Sequence, residues 1–164
     1  MTSGRASLVE AVRALGTGLD ILVNNAGTNV RRPATAYGDE DIAQVMDTNL
    51  ASAFGLARAF HPELKARGGC VVNVSSVAGL VHVASGAPYG MSKAAMVQMT
   101  RNLACEWAAD GIRVNAVAPW YIAMPLADLH GAPNLTRLDQ LTSLVVRRDE
   151  DVGLANDQFD VVLM

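Results

Sequence analysis

Tyr89 and Lys93 stand four residues apart in "YGMSK". Positions i and i+4 share a helix face. A cation beside a phenol favours its ionised form, and a phenol tuned in that way can act as a general acid–base. Ser76, at the end of a β-rich segment, adds a hydroxyl that can orient a substrate oxygen. Together these groups suit a carbonyl: a proton reaches oxygen while hydride arrives at carbon. The plainer alternative is that the tyrosine packs and the lysine points into water.

The elements that must position these residues can be read from the pattern. "LDILVN" (19–24), "CVVNVS" (70–75) and "IRVNAVA" (112–118) are nearly continuous apolar, β-branched runs. Such runs are expected of strands buried on both faces, as in parallel sheets. Helical periodicity covers 5–15, 39–65 and 90–108, with Pro62 expected to kink or end the second helix and Gly111 to stop the third. Alternating helices and strands predict an α/β fold with a parallel sheet of three recognisable strands. Ligands of open α/β sheets bind beyond the carboxyl ends of the strands. Here those ends read "NNAG" (24–27), "SSVAG" (75–79) and "APWYIAM" (118–124), small and polar enough to line a crevice and let a ligand approach the backbone.

Composition narrows the class. With 51% hydrophobic and 18% charged residues, the 164-residue chain is globular rather than disordered. A net charge of −3 with scattered Lys and Arg gives no nucleic-acid signature. The uncharged stretch 68–92 holds five glycines, one proline and four serines, so it reads as strand plus loop rather than a membrane span. No signal peptide is seen, and Cys70 and Cys105 lack metal-type spacing, so both are expected to be reduced core thiols. A cytoplasmic protein is the expectation. His82 is expected to be incidental, His61 and His130 have no nameable partner, and Trp107 with the methionines around it is expected in the core or a subunit interface. "RRDED" (147–151) reads as a solvated charge run.

The segments "LDILVNNAGTN", "NVSSVAG" and "YGMSK" resemble the motifs of the classical short-chain dehydrogenases/reductases. "HPELKARG" and "LACEWAADGIRVNAVAPWYI" are similar to the plant tropinone-reductase-like branch, and the resemblance covers about residues 5–128. In that family the catalytic serine precedes the tyrosine by thirteen positions, which selects Ser76 over Ser75, and Asn49 in "MDTNLASAF" matches the catalytic asparagine. The resemblance implies a Rossmann fold and NAD- or NADP-dependent interconversion of a ketone and a secondary alcohol. It makes Tyr89 the acid–base and Lys93 the ligand of the nicotinamide ribose. Ser76 would hold the carbonyl oxygen, and Asn49 a water that relays protons from Lys93. Asn24, Ala26 and Gly27 would lie beside the cofactor, and Pro119 to Ile122 would flank the nicotinamide. Asn25 and Asn73 are expected to fix loops through side-chain hydrogen bonds.

The chain also departs from that pattern. It has no G-x-G-x-x-G run to cradle a pyrophosphate, and Trp120 and Met124 replace the glycine and threonine of the turn after the third strand. The reading is an incomplete dinucleotide-binding domain over 1–128, short of two βα units and part of a third, roughly 60–70 residues. Residues 129–164 match nothing and are expected to lack a packed position. Weak cofactor binding and impaired or absent activity are expected for the chain alone, with NAD against NADP unreadable. The substrate would be a small, mostly apolar carbonyl or alcohol. A homo-oligomer, or association with full-length relatives through the Asn49 and Tyr89 helices, is expected, and a non-catalytic fragment that associates in this way is the alternative.

Overall fold

Short β-branched runs separated by amphipathic helices build a parallel sheet here, and a computed structural model describes it for residues 3–120 and 161–162. Helix α1 (Ser3–Ala14) leads into β1 (Ile21–Asn24). The next helical stretch is divided into α2 (Asp39–Met46), a π turn at Asp47–Ala51, α3 (Ser52–Ala59) and α4 (His61–Arg67). The helical stretch breaks at Phe60, just before Pro62, as the sequence predicts, and Pro62 lies in the first turn of α4, where its missing N–H is harmless. Strand β2 (Cys70–Val74) follows, then α5 (Ala87–Trp107) and β3 (Arg113–Val117). Gly111, at φ 73°, turns the chain between α5 and β3 as the sequence predicts.

The strands pair in parallel in the order β1-β2-β3, and a two-residue strand β4 (Val161–Val162) adds to β3. That last strand was not expected; the rest of 129–164, and with it His130 and the charge run, lies outside the described residues. In register, Leu22, Val71 and Val114 share one face, as do Asn24, Asn73 and Ala116. This face meets Val9, Ala57, Phe60, Leu64, Leu103, Ala104 and Trp107 in the core. Burial on both faces does not hold: Ile21 is 58% and Val23 56% exposed, and Val72 and Val117 are only partly covered. The helices among the described residues all serve one face of β1, so a fully apolar strand alternates in burial. Strand β1 is also the edge of the sheet.

The thiol and histidine expectations need correction as well. Cys105 is exposed on α5 and Cys70 is only partly buried; both are free. His61 has a clear partner: its Nε2 lies 2.8 Å from Asp110 Oδ2, and its ring packs edge-on to Trp107. His82 is exposed, as read.

Candidate functional site

Three loops leave the carboxyl ends of β1, β2 and β3 on the same side, and α5 crosses behind them. The loop after β2 is fastened first. Ser75 N–H donates to Val117 O and Val77 N–H to Pro119 O, so the second and third loops continue the sheet's pairing past its end. Ser76 then caps the single 3-10 turn Val77–Gly79, its Oγ accepting from Ala78 N–H at 3.1 Å. That leaves the Ser76 hydroxyl proton free to donate.

The turn packs directly on the start of α5. A Cβ on Gly79 would stand 2.6–2.9 Å from the backbone of Lys93 and Ala94, and one on Gly90 would stand 3.1 Å from Ala78 O. The glycine of "SSVAG" therefore admits a helix backbone, where the sequence suggested room for a ligand. Ser75 Oγ, buried, donates to Lys93 O at 2.9 Å. The two adjacent serines divide the work: Ser75 docks the helix, and Ser76 keeps a hydroxyl towards the crevice.

Lys93 is only 4% exposed. Its Nζ donates to Val74 O at 2.7 Å and lies 5.8 Å from the centre of the Tyr89 ring. No carboxylate pairs with it among the described residues, and burial alone pushes its pKa down to about 8. One of its three N–H donors is engaged; two remain to meet a ligand's oxygens. The phenol, half-buried, is thus beside a desolvated cation as the four-residue spacing requires.

Asn49 sits in the π turn and is completely buried. Its Oδ1 accepts from Thr28 N–H at 2.7 Å, and its Nδ2 donates to Thr28 O at 3.0 Å and to Ser92 Oγ at 3.0 Å. The side chain is occupied by protein groups, so a water held by it would have to share them. Gly27 completes the group: a Cβ there would lie 3.5 Å from Asn49 Oδ1 and 3.6 Å from Lys93 Nζ. Gly27 and Ala26 are exposed at the crevice.

The Asn24 side chain is spent within the protein. Its Nδ2 donates to Asn73 Oδ1, Asn73 Nδ2 donates to Thr100 Oγ1, and Thr100 Oγ1 donates to Met96 O, a buried chain that ties β1 and β2 to α5. Asn73 thus fixes structure as read, and the Asn24 side chain belongs to the same network. Asn25 is exposed and its side chain makes no hydrogen bond among the described residues, against its structural reading. Ile122 and Met124 lie outside the described residues. Sequence reading missed Thr28, Ser75, Ser92 and Thr100. Ser92 and Thr100 carried a signal, as polar residues on the buried face of α5; Thr28 takes part through its backbone and carried none.

Comparison with known proteins gives this geometry a context. Residues 2–132 match the model of the short chain dehydrogenase family. A tropinone reductase homolog of Arabidopsis thaliana is 57% identical over 120 residues, covering 73% of this chain and 46% of that protein. Senescence-associated protein 13 of the same plant is 55% identical over 126 residues, covering 76% and 47%. The chain therefore spans about half the length of the curated relatives it matches. Among solved structures, a protein described as a short-chain dehydrogenase/reductase of Burkholderia xenovorans aligns with a TM-score of 0.75 at 32% identity, over 87% of this chain and 57% of the other. A gluconate 5-dehydrogenase of Burkholderia cenocepacia, solved with NADP and tartrate, gives a TM-score of 0.72 at 33% identity, over 79% and 51%.

Proposed function

Because the chain belongs to the short-chain dehydrogenase family, we propose that Tyr89, Lys93, Ser76 and Asn49 form the catalytic group of a nicotinamide-dependent oxidoreductase acting on a ketone or secondary alcohol. The observation that carries this reading is Lys93. A buried ammonium with no carboxylate partner among the described residues, beside a phenol and beyond the ends of parallel strands, has a poor structural rationale.

The residues fit one half of the cofactor. The two uncommitted N–H donors of Lys93, next to the bare Gly27, suit the hydroxyls of a nicotinamide ribose. A glycine-rich pyrophosphate turn is not in the sequence, so nothing here is assigned to the phosphates. Bound nicotinamide supplies or takes up hydride at the substrate carbon. The chain's own residues manage the oxygen. Ser76 donates a hydrogen bond from its free hydroxyl to the carbonyl oxygen and fixes its position. Tyr89 transfers the phenolic proton to the same oxygen as charge develops there. Lys93 stabilises the phenolate left behind, and Asn49 holds the Thr28 backbone beside it. The substrate of this reading is a small, mostly apolar carbonyl compound or alcohol.

A second reading is favoured by the free edge of β1, with Ile21 and Val23 more than half exposed. In it the chain is non-catalytic and associates with longer relatives through α3 and α5, where Phe54 and Met91 are exposed. Purified chain, alone and mixed with a full-length relative, separates the two. NAD(P)H oxidation with a small apolar ketone by the chain alone, abolished in Tyr89→Phe, supports the enzyme. Co-elution with the relative and no turnover of its own supports the second reading.

A further inference from the structure

Ser92 lies between Tyr89 and Lys93 in sequence, is completely buried, and has a hydroxyl with two partners. Its Oγ accepts from Asn49 Nδ2 at 3.0 Å and donates to Tyr89 O at 2.8 Å. Asn49 in turn grips both backbone groups of Thr28. One hydroxyl thus joins three segments: the loop after β1, the π turn, and the first turn of α5. Each joint restricts the others. A serine bonding back to the carbonyl three residues earlier tilts that carbonyl and bends the helix locally. The π turn that carries Asn49 is a local departure from regular helix, of a kind frequent at functional sites.

Packing alone does not require a hydroxyl at this place. An alanine would occupy nearly the same space but leave Asn49 Nδ2 one acceptor short and the Tyr89 carbonyl without its extra donor. Buried networks of this kind act as a unit, because each member's geometry depends on its neighbours' being satisfied. We propose that Ser92 is a positioning residue, whose hydroxyl sets the Tyr89 turn against Asn49 and the Thr28 loop. The proposal rests on the reading of Tyr89 as proton donor, and adds to it a residue that touches no reacting atom.

The test uses the full chain labelled with ¹⁵N. Amide exchange is followed at Thr28, whose N–H donates to Asn49 Oδ1, and at Val114 in the core of β3. In Ser92→Ala, Thr28 protection should fall on the order of tenfold beyond any fall at Val114, since one buried hydrogen bond is worth about one factor of ten. Ser92→Thr, which keeps the hydroxyl, should restore it. Equal changes at the two amides, or an unchanged Thr28, would overturn the proposal and leave Ser92 a packing residue. Should Ser92→Ala not fold, Ser92→Cys keeps the volume, weakens both bonds, and serves the same comparison. In the turnover assay, Ser92→Ala should lower kcat roughly tenfold or more with KM nearly unmoved, as misplaced catalytic groups do. A fall in kcat that Ser92→Thr does not rescue also counts against positioning. A parent chain without turnover refutes the enzyme reading, while the Thr28 exchange still decides the role of Ser92.

Discussion

The two ends of the sheet differ in a single buried charge. At the amino end, charges are paired: Arg67 with Asp20, open to water, and Arg13 with Glu63 and Lys65 and His61 with Asp110, around half-buried carboxylates. Their partners hold the Asp20, Glu63 and Asp110 carboxyls below the ordinary range, each chiefly through a side-chain hydrogen bond. At the carboxyl end Arg32 also pairs with Asp41, but one ammonium, Lys93, is buried against a carbonyl and a phenol. An exposed pair such as Arg67–Asp20 adds little to stability and needs no function to explain it. An unpaired buried charge is destabilising, and its retention points to use.

The largest effect that would sharpen this contrast is on catalysis. Tyr89→Phe keeps the ring and removes the proposed proton donor, so carbonyl reduction should drop on the order of 10²–10⁴-fold. Steady-state assay of folded variant and parent measures it; equal rates would make the Tyr89–Lys93 spacing a matter of packing.

Next comes the charge itself. Lys93 has a pKa of about 8 when folded against 10.5 as a free side chain. Between those values the unfolded chain holds more protons than the folded one, so stability rises with pH. The penalty is fully present below about pH 8 and is relieved towards 10.5. Going from pH 7.5 to 10, the parent should gain about 2 kcal/mol relative to Lys93→Met, at 1.36 kcal/mol per pKa unit. Urea unfolding at both pH values gives the difference; parallel behaviour of the two proteins would mean the ammonium is not desolvated.

Gly79→Ala tests the contact that seats the helix. The new methyl would collide with the Lys93 backbone rather than with a flexible side chain. A loss of about 1–3 kcal/mol is expected, as for overpacked cores. An unchanged unfolding midpoint would show that the turn can move off α5 freely.

The smallest effect belongs to the opposite end. Arg67→Ala breaks a two-bond pair with Asp20 that is half open to solvent, and should cost less than about 1 kcal/mol with turnover unaltered. A larger loss, or one that reduced activity, would erase the distinction between the two ends.

Much of the fold was legible because strands and helices announce themselves locally. The runs at 19–24, 70–75 and 112–118 became β1, β2 and β3 within two residues at each end. Burial was less legible: "ILVN" carries no mark of which side chains will find a helix, so Ile21 and Val23 were expected inside and are exposed. The π turn at Asp47–Ala51 was invisible for a related reason. Its extra residue is held by Asn49 bonding to Thr28, twenty-one positions earlier in the chain. The fourth strand, Val161–Val162, lies in a tail that offered no family pattern at all.

By itself, the sequence determined residue type and spacing along the chain: Tyr89 one helical turn from Lys93, Ser76 at a strand end, and a glycine after each of the first two strands. Those are short-range facts, fixed by the geometry of single helices and strands. Only the tertiary structure decided which hydroxyls and amides were spent on one another. Ser75 was turned to Lys93 O, Asn24 to Asn73, and Asn49 to Thr28 and Ser92, while Ser76 kept a free proton and Lys93 two free donors. A hydrogen bond between distant segments depends on where each backbone finally lies, and burial sets how strongly an unpaired charge is felt. Neither quantity exists until the strands and helices have packed.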